Sequence, residues 1–428
     1  MPGRIILKGA ADAAGKAVTL AITILAARTL GSDAFGVMAL AMTTGWLLGV
    51  ATDAGMSMYL ARETAKLRGG SRTLVAEVMG LRTATAYTAA AIAALFSSQF
   101  VPPEWRLPFT LLVLAQLTGA VLETLSHFFR GLERSEIESA LHFSQRALTL
   151  VLAMAVLWWW PRLDLLGGAL LAPPLVALLV GGAIAWRLLG RPDFSTGTQN
   201  LEGCLTPSVF LRDVLPLGAG VLLSALYFRI DLYFVEQWHG LEQVGAYNAV
   251  FRLIEAMRLL PAAVMAVTFP LLVQTTDRRL VQRLGGWLAA GGAVLAAIAA
   301  AGSAWIVTTI YGAPYAYAAP AFAVLSLALP LFFLNYALTH QVIGWDGQRA
   351  YLRIAALALV ANVAANLALV PSQGMTGAAI ATVITELVVT FGCLKALWSH
   401  VKASAFAQRA SADSPQPALS GSDRFGAA

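Results

Sequence analysis

The sequence predicts an all-α polytopic membrane protein of about 12 transmembrane helices, in two six-helix lobes related by an internal repeat. Three observations carry this. Of 428 residues, 58% are apolar and only 12% charged, against about 25% charged in an average soluble domain. Between Arg283 and Asp346 lie 62 residues without one formal charge, room for two spanning helices of ~20 residues each. The two halves of the chain also repeat local patterns at an offset of 209 residues.

The apolar runs place spans at roughly 9–28, 35–55, 74–97, 108–128, 138–160 and 165–187, then 213–236, 245–272, 285–309, 320–343, 352–371 and 376–398. The first is the least apolar, because Asp12 and Lys16 lie inside it. Between the second and third, Ser57 to Arg72 reads as an amphipathic segment on the lipid surface, with Tyr59, Leu60 and Leu67 against four basic residues. Counted over the loops, 19 Lys and Arg fall on the N-terminal side of the membrane. Only Arg28, Arg106 and Arg162 fall on the other. By the positive-inside rule both termini are cytoplasmic and the number of spans is even. Localisation as a multi-pass inner-membrane protein is the expectation. The expected divisions are a first lobe over 1–210, a second over 211–400, and a Ser-, Ala-, Pro- and Gln-rich disordered cytoplasmic tail over 401–428.

Met1 to Lys8 is not followed by a signal cleavage site, so the first helix is expected to stay. Cys204 and Cys393 are too few and too scattered for a disulfide framework or a metal cluster, and read as small apolar filler. The net charge of +6 sits in short loops, as orientation signals do, and no extramembrane stretch is long enough for a nucleic-acid-binding domain.

The repeat has three parts. Gly31-Ser32-Asp33-Ala34-Phe35-Gly36 precedes the second span and Gly240-Leu241-Glu242-Gln243-Val244-Gly245 precedes the eighth. Gly168-Ala169 and Gly377-Ala378 enter the sixth and twelfth at the same offset. Leu125-Ser126-His127 with Gly131 matches Leu338-Thr339-His340 with Gly344 at an offset of 213. Repeats with an even number of spans share one orientation, an arrangement used by transporters with a site at the repeat interface.

The run Ala26-Ala27-Arg28-Thr29-Leu30-Gly31 through Phe35-Gly36 resembles the first-loop signature of the polysaccharide transporter family, the O-antigen flippases. Arg229-Ile230-Asp231, Val244-Gly245-Ala246-Tyr247, Pro261 and Pro270 resemble its seventh and eighth helices. The family lies within the multidrug/oligosaccharidyl-lipid/polysaccharide exporter superfamily. The resemblance implies two lobes around a cavity that opens alternately to each face, and a polyprenyl-pyrophosphate-linked oligosaccharide as cargo. It implies contact with membrane lipids and with polysaccharide polymerase and export machinery, no cofactor, and no enzymatic activity.

A charge at mid-membrane costs several kcal/mol unless it faces protein or water, so each is a functional candidate. In the seventh and eighth spans Arg229 and Asp231 precede Asn248, Arg252, Glu255 and Arg258, whose spacing of 4, 3 and 3 puts them on one helix face. At ~1.5 Å per residue they lie roughly 5 to 20 Å below the outer end. Arginine offers a planar, permanently charged fork for phosphate oxygens. Two readings stand: Arg229, Arg252 and Arg258 contact an anionic cargo, or Arg229–Asp231 and Arg252–Glu255 are self-neutralised pairs. Asp12, Lys16, Thr19 and Thr23 form one face of the first span, either cavity lining or an ion pair at its mouth. Gln116, Glu123 and His127 share a face of the fourth. Arg146 and His142 lie on the fifth, Arg146 facing its own half's core or the cavity. Cationic cargo contacts are thus expected from Arg229, Arg252, Arg258, Lys16 and Arg146, and ion coupling from Asp231, Glu255 or Glu123. Glu77, Arg82 and Glu386 are further embedded charges, and Asn362 and Asn366 read as interhelical hydrogen-bond glue.

No Gly-x-x-x-x-Gly-Lys-Ser/Thr loop is present, so the drive is an ion gradient, the membrane potential or removal of cargo. A drug or cation antiporter of the same superfamily is the alternative, although cationic cargo favours acidic lining. A membrane glycosyltransferase or polymerase would need more than the single loop carboxylate Glu104.

Overall fold

A computed structural model describes residues 2–66, 72–189, 215–274, 278–345 and 347–412. Among these every regular element is helical. The first lobe comprises α1 (Pro2–Thr29), α2 (Ser32–Asp53), the short α3 (Met56–Lys66), α4 (Arg72–Phe100), α5 (Arg106–Gly131), α6 (Ser135–Trp159) and α7 (Leu163–Leu189). The second comprises α8 (Leu215–Arg229), α9 (Asp231–Met257), α10 (Leu259–Gln274), α11 (Arg278–Ala301), α12 (Ser303–Tyr311), α13 (Ala319–Ser326), α14 (Leu329–Gly344) and α15 (Gln348–Ala412). The lobe boundary expected near residue 210 and Cys204 lie outside the described residues, as does the chain beyond Ala412. Up to Ala412 the stretch expected as a tail continues α15.

Among the described residues eight helices are long and apolar enough to cross a membrane, or nine with the bent pair Ala313–Ser326 and Leu329–Gly344, which meet at 44°. Two of the eight, Gly218–Met265 and Gln348–Ser399, run 48 and 52 residues. Straight, each would be more than ~70 Å long, over twice the ~30 Å hydrocarbon core. They fold back instead, at Gly240 (φ 76°) and Gly374 (φ 57°). Contacts across each turn prove it: Arg229 reaches Glu255, and Asn362 Nδ2 donates to Thr385 Oγ1 at 3.0 Å. That second bond is the interhelical glue expected of Asn362. Splitting both helices, and adding the bent pair and α1, gives twelve spans among the described residues.

The repeat is visible in the backbone. Gly31 (φ 83°, ψ 165°) and Gly240 (φ 76°, ψ −176°) share a conformation that only glycine adopts freely. Five residues on, a Cβ at Gly36 would fall 2.0 Å from the Leu241 carbonyl oxygen, and one at Gly245 would fall 2.7 Å from that of Ser32. Ser32 and Leu241 occupy equivalent places in the two repeats, so the two contacts are one contact made twice about a pseudo-two-fold axis.

The lobes also meet along the rest of α2. Thr44 and Tyr233 share a hydroxyl–hydroxyl bond of 2.8 Å, and a Cβ at Gly218 would lie 2.3 Å from the Ala54 carbonyl carbon. At the face opposite the basic loops, Arg28 Nε donates to the Ile310 carbonyl at 2.7 Å and its Nη2 to that of Thr309, filling acceptors left open at the end of α12. Tyr315 donates to the Ala27 carbonyl at 3.0 Å. These bonds close that face. Towards the basic face a cavity separates α1 from α9.

One expectation is corrected. The apolar side of α3 does not face lipid: Met56, Tyr59 and Leu60 pack in a cluster with Leu125, Phe128 and Phe129 of α5, while Arg62 and Lys66 point outward. Protein offered this stripe a closer-packed partner than the lipid surface does.

Candidate functional site

The site is built on the break between α8 and α9 and on one face of α9. Residues two apart on a helix point to opposite sides. Arg229 and Asp231 therefore part company at the break, and the Arg229–Asp231 pair that one of the two readings contained does not form. Arg229, 4% exposed, donates from Nη2 to Glu255 Oε1 at 2.5 Å and from Nη1 to Asn248 Oδ1 at 3.5 Å. Its guanidinium lies 4.6 Å from the Phe251 ring centroid. Asp231 instead accepts the Tyr247 hydroxyl and, at 3.0 Å, the Leu232 N–H. Arg252 Nη1 donates to the other Glu255 oxygen at 2.8 Å, the pair that their spacing of three predicts. One carboxylate thus bridges two arginines, leaving a positive surplus.

Arg258, one turn further, is held differently. Its guanidinium sits between two rings, 4.4 Å from the Phe228 centroid and 4.3 Å from that of Phe332. Stacking of this kind holds a cation without neutralising it. Among the described residues Arg258 forms no salt bridge.

Arg252, Glu255 and Arg258 line the cavity between the lobes, about 480 Å³, with Ala17, Thr19 and Leu20 of α1 opposite. The cavity therefore carries two arginines and one carboxylate on one wall, and apolar groups and a hydroxyl on the other. Arg229 stands behind this wall, turned into the protein, and orients Glu255. Asp231 is 1% exposed and does not line the cavity.

The other candidates lie elsewhere. Arg146 lines a chamber of about 260 Å³ inside the first lobe with Thr19, Thr23, Gln116 and Gln145. Its guanidinium fills the space over Gly15, where a Cβ would fall 2.3 Å from Nη1. Thr19 and Thr23 return their hydroxyls to the Gly15 and Thr19 carbonyls of α1. The Asp12 and Lys16 side chains lie outside the described residues. Glu123 stands off the central cavity, 3.4 Å from His142, 3.6 Å from His127 and 3.7 Å from Arg130.

In the sequence Arg82 is only a lone embedded charge. In the fold it is 1% exposed and a structural tie, donating to Thr52, Thr124 and the Gly49 carbonyl, with Asp53 at 3.7 Å. Sequence reasoning misses altogether the rings that flank Arg258. The alternation of Phe228 with Arg229, one helix away from Arg258, is the only signal available there.

No curated protein matches the sequence. Solved structures are similar in fold. An inward-facing multidrug resistance MATE family transporter of the MOP superfamily aligns at TM-score 0.68 and 16% identity, over 91% of this chain and 96% of that one. A mutant of the Vibrio cholerae MATE transporter VcmN aligns at 0.61 and 13%, over 94% and 97%. The lipid II flippase MurJ, inward closed, aligns at 0.61 and 13%, over 92% and 87%. A family model described as "Polysaccharide biosynthesis protein" matches residues 7–276, well over half of the chain. With the twelve-span, two-lobed fold and the cationic interlobe cavity beside it, that match places the chain in the polysaccharide biosynthesis protein family.

Proposed function

We propose that the protein is a flippase that carries a polyprenyl-pyrophosphate-linked oligosaccharide across the bacterial inner membrane by alternating access. The observation that carries the reading is the interlobe cavity, whose charged wall presents Arg252 and Arg258 against a single carboxylate. A diphosphate accepts charge-assisted hydrogen bonds from such a wall. The positive-inside pattern orients the cavity mouth to the cytoplasm, where lipid-linked sugars are built. The lipid tail stays in the bilayer beside the gap between α1 and α9. The family match and the likeness to a lipid II flippase support the same class of cargo. Lobes that rock about α2 then open the other face, once the bonds of Arg28 and Tyr315 part. Binding drives this only through different affinity for the two states. Coupling to an ion falls to Glu255 before Asp231 or Glu123, because Glu255 touches both the cavity and the buried Arg229.

Arg252→Ala and Arg258→Ala, singly and together, are expected to abolish surface polysaccharide in a strain lacking the native copy, with membrane protein level unchanged. Export that persists in the double variant would overturn the anionic-cargo site and leave a drug or cation antiporter as the reading to pursue.

A further inference from the structure

We infer that a chamber in the second lobe, behind Arg258, is the subsite for the sugar joined to the carrier diphosphate; this rests on the flippase reading. The chamber encloses about 310 Å³ and shares Arg258, Phe228 and Tyr336 with the central cavity. A group bonded to a diphosphate on Arg258 therefore has this space next to it, at the small end of the ~300–1,000 Å³ typical of small-molecule sites.

The lining suits a pyranose, which shows apolar C–H faces and a rim of hydroxyls. Rings of Trp46, Tyr227 and Tyr336 meet the first need. Glu386 and the tyrosine hydroxyls meet the second. Glu386 is 5% exposed, and its Oε2 accepts the Asn335 amide at 2.7 Å. No hydrogen bond reaches its Oε1 among the described residues, and none reaches the hydroxyls of Tyr227 and Tyr336. Glu386 Oε1 is not among the polar atoms sealed off without a partner, so it is open to the chamber, where a ligand hydroxyl can donate to it in place of water. Asn335 is itself fixed, donating to the Glu386 carbonyl at 3.0 Å and accepting from Thr390 at 2.8 Å, so the carboxylate is aimed before any ligand arrives. The first-lobe chamber, by contrast, has no aromatic ring among its described lining residues.

Trp46 gives the chamber a part in the transport cycle. It belongs to α2 of the first lobe, while the other walls belong chiefly to the second. The sugar subsite is complete only while the lobes hold this arrangement. Rocking removes one wall and with it part of the affinity, which is the difference between states that transport needs.

The test uses full-length protein in nanodiscs and radiolabelled polyprenyl diphosphate, either bare or carrying one glucose, galactose or N-acetylglucosamine. At least one sugar is expected to tighten binding by about tenfold over the bare lipid, roughly one hydrogen-bonded contact's worth. Trp46→Ala and Glu386→Gln should each erase that increment and leave bare-lipid affinity unchanged. Arg258→Ala should weaken every probe. The subsite is refuted if no sugar tightens binding, or if the increment survives both variants. It is equally refuted if both variants weaken the bare lipid as much as the sugar-bearing ones. Failure of the parent protein to bind bare polyprenyl diphosphate at all would instead sink the flippase reading itself. Trp46 is 40% exposed, so its variant tests the idea even if Glu386→Gln folds poorly.

Discussion

Glu255 holds two arginines, and the two differ in what its loss does to them. Arg252 lines the cavity and can find water, whereas Arg229 is buried and cannot. Breaking a buried ion pair from one side costs about 3–5 kcal/mol, because a charge is left uncompensated. Glu255→Gln is therefore expected to lower the thermal unfolding temperature and the membrane level of the protein. Arg258→Ala should leave both nearly unchanged while stopping export. Equal stability of Glu255→Gln and the parent would show that Arg229 does not depend on this pair. Tyr247→Phe, which leaves Asp231 short of a buried donor, should cost about 1–3 kcal/mol in the same assay. The polar stripe of α9 was legible in the sequence because helical spacing alone puts Asn248, Arg252, Glu255 and Arg258 on one side. The partner of Arg229 was not. Its nearest carboxylate in sequence, Asp231, points the other way round the helix, and Glu255 comes within reach only once the chain has turned at Gly240.

At the scale of elements, the turns and the repeat were the most readable features, since glycine marks them. Gly31 and Gly240 hold a conformation that side chains disfavour by about 1–3 kcal/mol. At both, the place a methyl group would take has no neighbouring atom within 4 Å. Gly31→Ala and Gly240→Ala should thus lose similar amounts of stability, read as unfolding temperature, through backbone strain alone. A loss at one and none at the other would break the equivalence of the repeats. Less readable was α3. Its amphipathic pattern shows that one side is covered, but the pattern is the same whether lipid or α5 does the covering. The bend of 44° before Leu329 was also hidden, inside an apolar run that hydropathy treats as uniform.

For the whole molecule, the bonds of Arg28 and Tyr315 hold one face shut while the cavity lies on the other side of them. Arg28→Ala should shift the population toward opening at that face. A cysteine placed at Ala249, fully buried and carrying the carbonyl that accepts Tyr311 at 2.8 Å, reports this. In an otherwise cysteine-free protein it should resist a membrane-impermeant maleimide, and react once Arg28 is also replaced. No change in labelling would mean that Arg28 does not govern closure. Reporter fusions after Ala412 and within Ala313–Ala318 should give opposite answers, cytoplasmic and external, if the basic loops set the orientation. The meeting of α2 with α9 has a consequence for how such a chain can drift. Gly36 and Gly245 present main chain to main chain, and a codon change cannot alter a carbonyl. It can only add bulk. Every substitution at either glycine therefore pushes the halves apart, and no second substitution on the facing repeat can make room, because the atoms in the way belong to no side chain.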